Sequence, residues 1–125
     1  MVILDTNAIL RYILKDNSEM ADIAEKILDE QYCLITVEIV AELVYVLTKV
    51  YKLDRKLVSN TLQNFFEISN VTVIKEETVC FALTLFGNSN LDFVDSILVS
   101  YSKIEGYDVL TFDKEIKKYL IQHIY

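Results

Sequence analysis

Two short apolar runs in this chain each deliver an aspartate: Val2-Ile3-Leu4 leads into Asp5, and Val109-Leu110-Thr111-Phe112 leads into Asp113. Two further acid pairs stand in apolar settings, Glu38 and Glu42 in TVEIVAELVYVL, and Asp92 and Asp95 in NLDFVDSIL. Oxygen ligands without His or Cys select hard divalent cations, Mg2+ or Mn2+. A zinc site has little to work with, because the single histidine, His123, stands near the C-terminus and Cys33 and Cys80 fall in unrelated contexts. Both thiols read as small buried hydrophobes in the reduced state. A carboxylate-bound Mg2+ makes its water a better nucleophile and stabilises charge on a phosphate in flight. Phosphodiester hydrolysis then needs no Ser-His or Cys-His pair.

Each acid also has a purely structural reading. Asp5, Asp113 and Asp92 can cap the helices that follow them. Glu38 and Glu42, together with Tyr45 and Lys49, can form the solvated stripe of a greasy helix. Glu42 stands between Ala41 and Leu43, where burial is expected, and a buried ionised carboxylate needs a cation or a hydrogen-bonded partner.

The elements that must position these acids can be read from periodicity. Strand-like runs are Val2–Leu4, Cys33–Thr36, Val71–Ile74, Val109–Thr111 and Ile121–Ile124. Helical patterns cover Thr6–Leu14, Ser18–Glu30 (with Ser18 as cap), Val37–Tyr51, Asp54–Ile68, Glu76–Phe86, Leu91–Glu105 and Lys114–Leu120. Gly106 is placed to stop the sixth. Strands alternating with helices predict a three-layer α/β/α sandwich around a mostly parallel sheet of five strands. Ligands bind at the carboxyl edge of such a sheet. Asp5 and Asp113 leave strands there, a Glu of 38/42 lies in the first turns of the helix after the second strand, and an Asp of 92/95 opens the helix before the fourth. Asp29, Glu30, Glu105 and Asp108 fall at the opposite edge.

Composition bounds the rest. The 125 residues, with no proline, two glycines and no repeat or linker, are expected to form a single domain over 1–125. The 53% hydrophobic content predicts a sheet covered on both faces and an oligomer interface. Charges at Glu42 and Lys49 interrupt the most apolar segment, so no membrane span is expected, and Asp5 breaks any signal-peptide core; a cytoplasmic location is expected. A net charge of −7 argues against a general nucleic-acid footprint unless the acids are gathered to hold cations.

Three stretches, LDTNAIL, TVEIVAELVYVL and LDFVDSILVSYSKIEGYDVLTFDKEIKK, together resemble a PIN-domain ribonuclease, and among these the VapC-type toxins of toxin–antitoxin pairs. The resemblance spans essentially the whole chain. It matches the family's four acids to Asp5, Glu42 rather than Glu38, Asp95 and Asp113, with a small residue, Ser96, after the third. It implies a five-stranded parallel sheet, Mg2+ or Mn2+ dependence, RNA as substrate, a homodimer, and inhibition by a cognate antitoxin. On this reading Asp5, Glu42 and Asp95 hold one metal, and Asp113 helps to hold a second when substrate is present. Thr6, Asn7 and Thr111 orient carboxylates or water. Arg11, Lys15, Lys114, Lys117 and Lys118 are candidates for phosphate contact, or equally solvated helix faces. Three rivals stand beside it. A PIN fold kept as a binding module would cleave nothing. A phosphoacceptor receiver domain would need an Asp at the end of a mid-chain strand, where Lys75-Glu76-Glu77 follows VTVI. A haloacid-dehalogenase-like phosphatase would need an acid at Asn7.

Overall fold

The computed structural model describes residues 1–121. It is an α/β fold in which β1 (Val2–Ile3), β2 (Cys33–Ile35) and β3 (Val71–Val73) form a parallel sheet in that order. Val2 pairs with Cys33, and Cys33 with Val71. The pairing extends past the strands, since the Leu4 N–H donates to the Leu34 carbonyl (3.1 Å) and the Ile74 N–H to the Ile35 carbonyl (3.0 Å). Parallel neighbours cannot be joined by a tight turn, so helices cross between them. These are α1 (Thr6–Leu14) and α2 (Ser18–Glu30), then α3 (Val37–Tyr45) and α4 (Arg55–Phe66). After β3 come α5 (Glu76–Gly87), α6 (Phe93–Glu105) and α7 (Lys114–Ile121).

Local chemistry sets the helix ends. Asn17, not Ser18, caps α2: its side chain accepts from the Met20 N–H at 3.0 Å. Asp54 caps α4 through the Lys56 and Leu57 N–H groups. Gly106 ends α6 in the left-handed region, at φ 80°, as its position predicts. The predicted helix over Val37–Tyr51 is not uniform: after Tyr45 it continues as a π-helical turn, Val46–Val50, in which the Tyr51 N–H reaches back five residues to the Val46 carbonyl (3.1 Å).

Among the described residues the sheet has three strands rather than the expected five. The run Val109–Thr111 pairs with nothing in the sheet, and Leu110 and Phe112 are 89% and 87% exposed. A second packing site accounts for this. Ile116 of α7 is buried with Leu85, Leu91 and Val99 in an apolar cluster separate from the main core. That docks α7 on α6, and the connection through 107–113 spans between them as irregular backbone instead of joining the sheet. Of the other expected strand, Ile121 ends α7, and the remainder, with His123, lies outside the described residues.

The main core gathers one face of the sheet, with Leu4, Cys33, Ile35, Val71 and Val73, against α1, α3, α4 and α5; on the other face Ile3 and Thr72 are exposed, so the sheet is not covered on both faces as expected. Cys33, Ile35, Val40, Leu43, Leu47, Val58, Leu62, Val79 and Leu83 have no exposed surface. Cys33 and Cys80 are free thiols, the first buried and the second half-buried, and burial raises the pKa of both. Leu43 lies where α3 meets this core, so Leu43→Ala is expected to cost about 3 kcal/mol through lost transfer energy and a residual cavity. Urea unfolding checks this, with a lowered midpoint at unchanged slope as the expected outcome.

Candidate functional site

The predicted acids fall into two groups in the structure. Asp5 sits at the exit of β1 and caps α1, its Oδ1 accepting from the Ala8 N–H at 2.8 Å. One carboxylate oxygen is thereby engaged, and capping leaves the other able to take a cation. Glu42 lies on α3 and is exposed, contrary to the expectation of burial. The reason is helical phase: Val40, Leu43, Val44 and Leu47 take the buried stripe, and Glu38, Glu42, Tyr45 and Lys49 are left on the outer one. α3 nevertheless packs against both α1 and α6, so it stands between the helix that Asp5 caps and the helix that carries Asp95.

Asp95 has a different environment. It is half-buried in the first turn of α6, and its pKa is raised, first by burial and then by the negative charges of Asp92 and Asp113. Asp92 holds the N-cap position of α6, yet its carboxylate makes no capping hydrogen bond. Capping alone therefore does not account for it. Asp113 caps α7, accepting from the Glu115 N–H (2.8 Å) and the Ile116 N–H (3.0 Å). Thr111 supports that turn by accepting from the Asp113 N–H at 3.1 Å. The structure thus brings Asp92 and Asp113 each within electrostatic reach of Asp95, while neither Asp5 nor Glu42 is among the charges that shift it.

What holds Asp95 in place is a helical hairpin and not the strand order. Phe86 near the end of α5 meets Phe93 at the start of α6 edge-on, 6.4 Å between ring centroids. At the other end, Thr78 and Lys75 both bond Glu105, each at 2.7 Å. α5 and α6 therefore run antiparallel. Glu105 does not stand apart at the opposite edge of the sheet; it meets Lys75, two residues beyond β3, and that pairing lowers its pKa. The turn between the helices is clamped by Arg55. Its Nε donates to the Phe86 carbonyl (3.0 Å), another guanidinium nitrogen donates to the Leu91 carbonyl, and its Cζ lies 3.7 Å from the centre of the Phe86 ring. Burial lowers the Arg55 pKa, and Asp92 opposes that shift. Nothing in the sequence around Arg55 marks it for this role, because its partners are backbone carbonyls more than thirty positions away.

Two hydroxyls beside the acids are buried without a hydrogen-bond partner, Thr6 Oγ1 and Ser96 Oγ. Unsatisfied buried polar groups are rare and call for a specific explanation. Asn7, by contrast, is exposed. Among the candidate phosphate contacts, Arg11 is paired with Asp16 (2.8 Å) and donates to the Tyr51 hydroxyl (3.3 Å), and Lys15 lies 4.4 Å from the Tyr12 ring centre. Lys114, Lys117 and Lys118 are exposed on α7.

The donor chemistry fits a hard divalent ion: every candidate ligand is an oxygen, and the like charges around Asp95 would be relieved by a cation. Among the described residues no three side chains of His, Cys, Asp or Glu stand close enough to cage an ion.

The PIN domain family matches residues 2–120, so the chain belongs to that family, whose members are generally nucleases that bind RNA and often depend on a metal. No characterised protein and no solved structure matches the chain. Among the described residues no helix is long and apolar enough to cross a membrane.

The raised pKa of Asp95 has a definite stability consequence. A carboxyl held above its unfolded value binds more protons in the folded state. It therefore opposes folding increasingly as pH rises past its ordinary value, 3.8. Asp95→Asn removes that effect, so the metal-free variant should melt higher than the wild type at pH 7. The difference should vanish below the ordinary carboxylate range. Paired thermal melts in EDTA at the two pH values check this, and a large loss of stability at pH 7 would show that Asp95 supports the fold.

Proposed function

We propose that the chain is a metal-dependent endoribonuclease, the toxin of a toxin–antitoxin pair, working in the cytoplasm as one PIN domain over residues 1–125. The observation that carries this reading is the half-buried Asp95, set beside Asp92 and Asp113 in a member of a nuclease family. Asp5, Glu42, Asp95 and Asp113 are the proposed metal-holding carboxylates, with Mg2+ or Mn2+ as the ion. Bound there, the ion would supply an activated water and stabilise charge on the phosphate under attack.

The chain's own residues divide the remaining work. Asp95 and Asp113 give the site a negative charge that draws the cation in. The Asp113 turn is held by Thr111, and Asp5 is held by its capping bond to Ala8. The Thr6 and Ser96 hydroxyls, unpartnered and adjacent in sequence to Asp5 and Asp95, are placed to hydrogen-bond a carboxylate or water ligand once an ion is bound. The exposed lysines of α7 would meet substrate phosphates.

A homodimer and a small antitoxin complete the proposal. Exposed Ile3, Ile23, Val94, Leu110, Phe112 and Ile121 supply apolar surface for association. The antitoxin would place an Arg or Lys against the acids, since charge-assisted Arg–carboxylate pairs are strong. A PIN-fold binding module without catalysis is the second reading, favoured by the exposure of Glu42 and its absence from the charges that shift Asp95.

A single experiment separates the two. Purified wild type should cleave single-stranded RNA with Mg2+ or Mn2+ and stop in EDTA. Asp5→Asn, Glu42→Gln, Asp95→Asn and Asp113→Asn should each lower cleavage by about 100-fold or more, because each removes charge without changing size. Undiminished cleavage by all four variants, or by wild type in EDTA, refutes the catalytic reading. If Glu42→Gln alone stays active, Glu42 leaves the ligand set.

A further inference from the structure

Beside Asp95 lies a cleft of about 660 Å³ between the second half of α3, with its π-helical turn, and the start of α6. We infer that this cleft is a binding subsite for one unpaired nucleotide of the RNA strand, with the base laid on Tyr45 and a phosphate held by Lys49. The inference rests on the nuclease reading for the identity of the strand, and on four features of the cleft for the rest.

The floor is apolar, with Ala41, Val44 and Phe93 among its lining residues, which suits the face of a base. Tyr45, at the rim, is 62% exposed, which leaves a face of its ring open to a base. Base stacking on an aromatic ring is open only to a nucleotide released from its own stack, so the ligand is single-stranded. Lys49 lines the same cleft one helical turn further on, and no ion pair or hydrogen bond engages its ammonium among the described residues.

The other cation of the cleft, Arg55, is committed. Its donors go to the Phe86 and Leu91 carbonyls and its guanidinium lies on the Phe86 ring, so it shapes the wall and leaves phosphate contact to Lys49. Thr48 is likewise turned inward, its hydroxyl donating to the Val44 carbonyl at 2.6 Å. The π-helical turn begins directly after Tyr45 and contains Thr48 and Lys49. Such turns interrupt α-helices frequently at functional sites. Because Asp95 lines the opposite side of the cleft, a nucleotide seated there places its neighbouring phosphodiester beside one of the proposed metal-holding carboxylates. A chain of net charge −7 repels an RNA strand at long range, so one uncommitted cation at this point has a large share in locating it.

The test is fluorescence anisotropy with a labelled ten-nucleotide single-stranded RNA of mixed sequence, with Ca2+ replacing Mg2+. Tyr45→Ala should weaken binding about tenfold, within the range for loss of one stacked base, and Tyr45→Phe should restore most of it. Lys49→Gln should weaken binding and make the salt dependence shallower by about 0.7, the value for one phosphate contact on a single strand. Both side chains are exposed, so the variants are expected to melt as wild type. Equal affinity for wild type, Tyr45→Ala and Lys49→Gln overturns the subsite, as does failure of wild type to bind. If Tyr45→Ala leaves RNA affinity unchanged but shifts sedimentation toward a monomer, the cleft is an interface between copies and the proposal is wrong. Metal-dependent RNA cleavage by wild type, measured separately, decides the nuclease reading: cleavage with unaltered variant binding sinks the subsite alone.

Discussion

Parallel pairing of three very short strands is the constraint on which the rest of this molecule depends. β1 holds two residues, and β2 and β3 three each, so the ladder alone contributes few hydrogen bonds. A sheet this small persists only if helices bury it, and parallel order requires helices as connections. The central strand shows the result: Cys33 and Ile35 have no exposed surface, and both belong to the same core as Leu43, Leu47, Leu62 and Leu83. The same order puts the exits of β1 and β2 on one side, which delivers Asp5 and the start of α3 together. Position at that edge follows from the strands without any interaction among the acids themselves.

The second half of the site is built by another device. Asp95 reaches its place at the start of α6 because α5 and α6 form a hairpin, closed at one end by Phe86 and Phe93 and at the other by Lys75, Thr78 and Glu105. Arg55 fastens the turn from the side of α4 through backbone carbonyls, a rigid arrangement for a planar guanidinium with several donors. Burial and two neighbouring carboxylates make Asp95 costly to ionise in the absence of a cation. Structure and chemistry meet there: the packing that fixes Asp95 is also what makes a positive ligand favourable beside it.

Much of this was legible from residue order. All seven helices and the first three strands follow from the apolar period, and Gly106 marks its helix end correctly because only a residue free of Cβ strain adopts φ 80° readily. The acids could be singled out, since a carboxylate in an apolar run is anomalous by itself. Burial of Glu42 was misjudged from its apolar neighbours: in a helix, residues on either side in sequence point about 100° away, and the buried stripe at Val40, Leu43, Val44 and Leu47 excludes it. The run Val109–Thr111 has strand composition but no strand pairing, because composition cannot tell that α7 docks on α6 through Ile116.

By itself, then, the sequence determined the alternation of helices with the first three strands, the oxygen-only character of the candidate ligands, and the exit of β1 into Asp5. These depend on neighbours a few positions apart, where periodicity and capping operate. Only the tertiary structure decided that Asp92 and Asp113 press on Asp95, that Arg55 holds the hairpin turn, and that a cleft opens between Tyr45 and α6. Apart from Asp92, a local neighbour of Asp95, each of those joins segments well separated in the chain, and such contacts are set by how whole helices pack, which no local pattern encodes.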